Sequence, residues 1–572
     1  MAEYLSPGIY VEEYDSSPRS IEGVGTSTAG FVGIAEKGPT TGVPQLVTSF
    51  ADYLRQYGGY LSAHTHGDYR FLPYTVEQFF MNGGTRCYIS RVIPTDAKAA
   101  TGRQGILSFT AANEGKWGNR VTIAITGTSK RKLQIVESVS DTVFKAKSVV
   151  GFKEGDIVTL GEEVNRIVTI LENNVTFENA FSSDPVDDAL VPKTWVYSAE
   201  LDIAVQSDGY VENYRSVDLN PDSVDYVLRR LAGSTIVEVD AKPLTDIMLP
   251  IAQIFDEDTD KGIIPLSGGA DGTIAAANAG TFIGVDNGPG KRTGIESFKE
   301  NNIVSLIAVP GVTIPEVLVA LTTHCENEKN RFAVIDVPVD TVKTDEIAEY
   351  REIIDSSYAA IYHPWVQVYD HLAQAPAYVP PSGTVLGVYS RTDIERGVHK
   401  APANEIVRST GLSTNYTSKE QDILNPIGVN LIRALPGQGI RVWGARTASS
   451  DSRFKYVNVR RLFIFVEESI KNSTNWVVFE PNGADLWNRV QMTISSFLEG
   501  LYSGGMLAGD TSDQAYFVDI GPTTMTRDDI ENGRLICNVG IAPVKPAEFV
   551  IFRVTQFTAE AGGSDGGGGG EE

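Results

Sequence analysis

Residues 547–557, AEFVIFRVTQF, constrain the fold more than any other stretch of the chain. They alternate as a β-strand does, with Val550, Phe552 and Val554 on one face and Phe549, Ile551 and Phe557 on the other. A strand that is apolar on both faces needs cover on both sides. The sequence that follows, GGSDGGGGGEE, has nothing to bury and reads as a flexible tail. The partner of this strand therefore lies far back in the chain or in another chain. A matching run, PGIYVEEY at 7–14, contains Ile9, Tyr10 and Val11 and precedes a Ser/Pro/Gly-rich connector at 16–25. An unpartnered strand at each end points to a self-assembling protein.

The chain has 572 residues, 42% hydrophobic and 21% charged, enough for several domains and a large core. No apolar run approaches the length of a membrane span, and the start, MAEYLSPG, has no basic or apolar signal region. Synthesis in a cytoplasm is the expectation. A net charge of −25 argues against nucleic acid or an anionic membrane as partner. Cys87, Cys325 and Cys537 are far apart and form no CxxC pair, which speaks against a disulfide framework or a structural zinc site.

Taken in order, 28–35 reads as a buried strand, 46–50 as a strand, 51–58 as helical, 69–81 as an amphipathic helix ended by NGG, and 87–92 as a strand. Alternating strands at 121–126 and 200–205 are candidates to pair. Short strands separated by turns fill 127–196, a small all-β insertion expected to project from the surface. A helix is expected at 222–231. The run 303–309, 314–325, 332–337 is strand–helix–strand, a βαβ unit, continued by a helix at 344–354 and one strand over 359–369. Beyond it come a short run at 387–390, helix signals at 403–407, paired strands near 431–442, and helices at 456–470 and 485–501. The last strands are 516–520 and 534–542. Pro543 and Pro546 stiffen the exit toward 547–557.

Several long strings in the second half resemble the contractile tail sheath family of myophages, R-type pyocins and contractile injection systems. They are HPWVQVYD (363–370), PPSGTVLGVYSRTDIERGVHKAPANE (380–405), LNPIGVNLIR (424–433), GIRVWGARTASSDSRFKYVNVRRLFIFVEESI (439–470), WVVFEPNGADLW (476–487) and TTMTRDDIENGRLICNVGIAPVKPAEFVIFRVTQ (523–556). PGIYVEE and GTSTAGFVG match at the front, whereas 127–196 matches weakly.

The resemblance implies an α/β (α+β) multi-domain chain. Its parts are a discontinuous sheath core with mixed sheet and helices, a middle α/β domain and extended terminal strand arms, to which composition alone adds the small all-β insertion. The expected boundaries are 1–22 for the N-terminal exchange arm, 23–100 for the first part of the core, 101–126 for the first part of the middle domain, and 127–196 for the outer insertion. They continue with 197–369 for the rest of the middle domain, 370–546 for the rest of the core, 547–560 for the C-terminal arm and 561–572 for the tail. The implied function is structural. Subunits stack as six-fold rings around an inner tube, exchange strands through Ile9, Tyr10, Val11, Phe549, Val550, Ile551, Phe552 and Val554, and contract to drive the tube through a target envelope. The implied partners are further copies in a helical stack of hexamers, the inner tube protein, and baseplate and terminal cap proteins, without nucleic acid or membrane insertion. Assembly is expected in a bacterial cytoplasm, as part of a phage tail or a tail-like particle that is extracellular after release.

A sliding sheath–tube contact favours polar groups over an apolar patch. Arg489 on the 485–501 helix, and Asp528 and Asp529 in TRDDIEN, are the candidates. Catalytic readings are weaker. GVDNGPGKR (284–292) imitates a P-loop, but Val285 stands where glycine is needed and Arg292 where Ser or Thr is needed. PGQGIRVWGA lacks the third glycine of a dinucleotide fingerprint. GTSTAG has Ala29 in place of the last glycine of a nucleophile elbow. His363 and His371, on one strand, would stand about 26 Å apart at ~3.3 Å per residue, too far to share a metal. His64 and His66 have only Asp68 beside them. No catalytic, metal or cofactor residues are assigned. A metal- or nucleotide-dependent hydrolase on the βαβ region, or a sheath-like protein that does not contract, are the alternatives.

Overall fold

Short, mostly apolar runs suit strands buried on both faces, and six of them build a parallel sheet. The computed structural model describes residues 20–104, 107–161, 163–182, 194–241 and 262–551. Ile9, Tyr10, Val11, Phe552 and Val554 lie outside the described residues. The chain divides into a large unit, Gly23–Val398 with Pro402–Ser469, and a smaller one that contains His399–Ala401 and everything from Ile470 onward.

In the large unit the parallel strands are, in spatial order, Cys87–Val92, Ala29–Ile34, Leu306–Ala308, Phe332–Asp336, Ala359–His363 and Val429–Leu435. Antiparallel strands extend both sides, Gln45–Val47 on one and Gly439–Val442 with Glu405–Ile406 on the other. The expected βαβ unit is present, with helix Pro315–Glu328 connecting two strands paired in parallel at Leu306 and Phe332. Phe31, Ile307, Ala333, Ile361 and Leu431 are essentially inaccessible to solvent. This single nine-stranded sheet draws strands from all three segments expected as 23–100, 197–369 and 370–546. The parallel pairing between Ala29 and Leu306 merges the anticipated core and middle domain into one layer.

Four local expectations are corrected. The single strand over 359–369 is two strands, Ala359–His363 and Val366–Asp370, in different sheets. Pro364 sits at the break and has no N–H to give a ladder. The run 387–390 belongs to a buried helix, Ser382–Arg396. Gly383 and Gly387 let that helix lie against helix Leu72–Met81, because a Cβ on either would stand 2.3 and 2.5 Å from the carbonyl oxygens of Thr75 and Phe79. Residues 403–407 hold the edge strand Glu405–Ile406, not a helix. The helix expected over 222–231 is confined to Val227–Leu231, since Asn220 and Ser223 organise the preceding residues as a turn.

A second core lies under two smaller sheets. Thr122–Thr128 and Glu200–Ser207 pair antiparallel as expected, with Ile125 opposite Ile203, and are flanked by Tyr210–Val217 and Ile263–Pro265. Val237–Ala241, Leu107–Ala111 and Thr101–Gln104 form the other sheet. Between Thr128 and Glu200 the chain closes a six-stranded barrel from Lys132–Ser138, Val143–Ala146, Ile157–Leu160, Glu163–Leu171, Asn174–Phe177 and Thr194–Ser198. Leu133, Phe144, Val158, Ile167, Phe177 and Val196 fill it. The barrel is not merely tethered. Ile157 and Val164 face outward into the core beneath the neighbouring sheets. Arg131, at the entry to the barrel, pairs with Asp156 at 2.7 Å, Glu200 at 3.0 Å and Asp218 at 3.5 Å, so one guanidinium links barrel and adjoining sheet.

In the smaller unit, helix Ala484–Ser503 buries Leu486, Val490, Ile494, Leu498 and Leu501 at helical spacing. It lies along a two-stranded antiparallel hairpin, Tyr516–Ile520 with Cys537–Ile541. Gln491 Nε2 donates to the Val518 carbonyl, and the Tyr516 hydroxyl donates to Glu499.

Candidate assembly surfaces

Phe549, Val550 and Ile551 belong to no strand among the described residues and are 72%, 68% and 80% exposed. Three consecutive large apolar side chains in water leave on the order of 1.5–3 kcal/mol each unrealised until something covers them. Upstream the exit is fixed. Ala508 N–H donates to the Ala542 carbonyl at 2.8 Å, Leu507 bridges Pro543, and Val544 N–H donates to the Met506 carbonyl at 3.4 Å, so the chain is held at least as far as Val544 before the apolar run begins.

The other end is held more firmly than a flexible connector would be. From Gly23 onward, residues of the anticipated linker are seated on helix Val457–Ser473. Val24 N–H donates to Ser469 Oγ at 3.1 Å, and a Cβ at Gly23 would meet the Phe465 ring at 2.9 Å. Thr26 Oγ1 donates to Asp393, which is also paired with Arg461, and both charged side chains are only 3% exposed.

A feature that sequence reasoning did not single out is the hairpin of the smaller unit. A two-stranded sheet leaves one edge of backbone donors and acceptors unpaired on each strand and is marginal alone. One face carries Tyr516, Val518 and Ile520 opposite Ile541, Val539 and Cys537, all only half-buried although the helix lies against them. Phe517, on the other face, is 59% exposed above Gly540. The alternating patterns at 516–520 and 534–542 were legible in the sequence, but the open edges were not.

The polar candidates separate. Arg489 is exposed, with its guanidinium 4.6 Å from the centre of the Trp476 ring. Asp529 has a structural task, accepting from the N–H and hydroxyl of Thr526 in a capping box and pairing with Arg534 at 3.1 Å. These hydrogen bonds from Thr526 hold its carboxyl below the usual range. Asp528 is exposed on the same short helix.

The loops that imitate catalytic motifs have other work. In 284–292, Arg292 pairs with Asp286 and Glu300 at 2.8 Å each, and Gly290 N–H donates to Glu300, so carboxylates fill the place a phosphate would take. The GxG of 436–445 is the hairpin turn between Val429–Leu435 and Gly439–Val442. GTSTAG leads into strand Ala29–Ile34. His363 is buried beside Tyr416, and His371 stacks on Tyr60. His66 Nδ1 lies 2.8 Å from Thr65 Oγ1. Among the described residues no three His, Cys, Asp or Glu side chains are grouped to hold a metal ion.

Residues 288–448 match the family model of the phage tail sheath protein central domain, and 449–557 match that of the phage tail sheath C-terminal domain. The tail sheath protein of Escherichia phage P2 is 25% identical over 294 residues, 49% of this chain and 72% of that protein. Two cryo-EM structures share the fold over nearly the whole length. The sheath complex of an extracellular contractile injection system (PVC) in its contracted state has TM-score 0.53 and 21% identity, covering 98% of this chain and 100% of that one. The contracted helical sheath of the anti-feeding prophage has TM-score 0.52 and 22% identity, covering 97% and 100%. Carrying both sheath domains in order on the fold of assembled sheaths, the chain belongs to the contractile phage tail sheath protein family.

Proposed function

We propose that this protein is the repeating structural subunit of a contractile sheath, stacked as six-fold rings around an inner tube, and that its two ends knit the subunits together. The observation that carries the reading is the exposed Phe549–Val550–Ile551 run on the same chain as a hairpin that has no third strand beside it among the described residues. An extended segment that adds to the edge of such a hairpin gains several ladder hydrogen bonds, each worth about 1 kcal/mol net, together with the burial of its apolar side chains. The 547–557 run of one copy, and the 7–14 run of another, would turn the bare hairpin of a third into a multi-stranded sheet. Repetition through the polymer makes a continuous mesh that bends at the connectors while its strands remain paired.

In this reading the chain performs no catalysis, and contraction releases energy stored in assembly. Assembly takes place in a bacterial cytoplasm on a baseplate and ends at a cap protein, and the finished particle acts outside the cell that made it. The exposed Arg489 and Asp528 are offered to the inner tube as polar contacts that release readily. Asp529 joins them only through the helix it caps.

Electron microscopy of the purified chain tests the reading. The full chain should form tubes or stacked rings, and a chain ending at Pro546 should be soluble, cooperatively folded and monomeric. Removal of 562–572 alone should change nothing. A chain ending at Pro546 that unfolds would place the strand in its own core and refute exchange at this end. Normal tube-filled particles from Arg489→Glu and Asp528→Lys variants would remove those residues from the tube contact.

A further inference from the structure

Three short strands of the large unit, Ala375–Val379, Val366–Asp370 and Gly411–Leu412, form a sheet whose first strand is an edge. Register fixes which side chains share its outer face. Tyr369 stands opposite Pro376, and Gln367 opposite Tyr378. Val366, Val368 and Val379 point the other way and are buried. Tyr369 is 46% exposed, Tyr378 41%, and Leu372 at the hairpin tip 53%.

The strands that make this face are nearly bare of charge, while Glu77 and Arg70 of a neighbouring segment stand beside His371 and Asp370. Across 366–379 and 409–413 the one carboxylate, ammonium or guanidinium group is Asp370. Its side chain is buried and turned inward, accepting from the N–H groups of Leu372 and Ala373 to hold the tip closed. Exposed tyrosines in a charge-depleted patch have the composition of a protein–protein interface centre.

The patch is also held rigid. Tyr369 is the last ring of a continuous chain of aromatic contacts, some stacked and some edge-on, that rises from the core. Tyr57 and Tyr53 are fully buried with ring centres 5.4 Å apart. Phe50 follows at 5.9 Å, Tyr60 at 5.7 Å, His371 at 5.4 Å and Tyr369 at 5.3 Å. A preordered aromatic surface loses little conformational freedom when a partner covers it.

We infer that the Tyr369–Tyr378 face is a contact surface between neighbouring copies of this chain in the sheath, separate from the strand-exchange joints. The occupant follows from charge. Each copy carries −25, so two copies approach most favourably where each presents the least charge. The inference rests on the sheath reading above.

The test uses the full chain with Tyr369→Asp, Tyr378→Asp and the double substitution, and Tyr378→Phe as the conservative control. Light scattering and negative stain follow assembly, and circular dichroism follows the fold. The Asp variants should keep wild-type secondary structure and need at least about tenfold more protein to assemble, the scale of losing a single interface hot spot. Tyr378→Phe should assemble as wild type. A photoreactive residue in place of Tyr378 should join one copy to another. Asp variants that assemble at the wild-type concentration overturn this inference and leave the sheath reading standing. Crosslinks that form only to added tube protein overturn the assignment to a second copy. A folded wild-type chain that stays monomeric overturns the sheath reading, and this inference with it.

Discussion

Asp393 and Arg461 show how a single pair fixes the root of the N-terminal arm. The carboxylate takes two bonds from the guanidinium and one from Thr26 Oγ1, while Arg461 also donates to the Thr26 carbonyl at 3.0 Å. Removing one partner of a buried pair leaves an uncompensated charge, which costs about 3–5 kcal/mol. Asp393→Ala should therefore lower unfolding stability by that amount in urea titrations and expose the 20–28 segment to protease. A loss below about 1 kcal/mol would mean that water already reaches the pair. His363 gives a pH dependence of known sign. Tyr416 Oη donates to the Val342 carbonyl, so the hydrogen bond between that hydroxyl and His363 Nε2 has the ring as donor, and Nδ1 is left buried without a partner. Burial pushes the His363 pKa down to about 4. Below pH 6.5 the unfolded chain takes up a proton that the folded ring refuses, so stability falls as pH drops from 6.5 toward 4, by up to roughly 3 kcal/mol from this group. His363→Gln should flatten that part of the curve in denaturation measured at pH 7, 6 and 5, and an unchanged slope would assign it elsewhere, for example to His324, which burial and Arg331 hold at about 3.

Among the elements, the barrel carries the sharpest prediction. Composition marked 127–196 as a separable surface module, and the all-β texture was right, but sequence periodicity does not reveal that the barrel has two inner faces. Ile157 and Val164 belong to the core of the adjoining sheets, and the carboxylates of Glu200 and Asp218 are 3% and 6% exposed with Arg131 as their shared cation. Arg131→Met should thus cost about 3–5 kcal/mol in chemical denaturation. Excision of 129–198 should give an insoluble chain, and adding Glu200→Gln and Asp218→Asn to that excision should recover part of the soluble yield. A fully soluble simple excision would show that the node is dispensable. The same limit explains the other readings. Helix Ala484–Ser503 was legible from periodicity because it has one apolar stripe, whereas helix Val457–Ser473, read from the spacing of its apolar residues, also buries Arg460 and Arg461 and has no bare face over its first turns. Helix Ser382–Arg396 was not legible, because it is buried nearly all round and carries two glycines that its neighbour requires. The sequence places Phe549–Ile551 as a strand in search of a partner, whereas the hairpin edges offered to it depend on which strands remain unpaired after folding, which no local pattern records.

For the whole molecule the governing quantity is charge. A subunit of −25 that joins many identical neighbours works against repulsion that grows with every copy added. The proposed strand joints and tyrosine contact would be short-range and apolar, so added salt would leave them almost untouched. The repulsion is long-range, and the distance over which it acts shrinks from about 30 Å at 0.01 M ionic strength to about 8 Å at 0.15 M. Ionic strength should therefore promote assembly, with the concentration at which tubes appear falling steadily from 10 to 150 mM NaCl in sedimentation assays. Magnesium at equal ionic strength should act only slightly better than sodium if screening is the mechanism, because no grouped acidic site for a metal exists among the described residues. The opposite salt trend, with tubes dissolving as salt rises, would mean that complementary charge pairs across the interfaces outweigh the net charge. In that case the exposed ionic groups, and not the apolar strand and tyrosine surfaces, would carry the sheath.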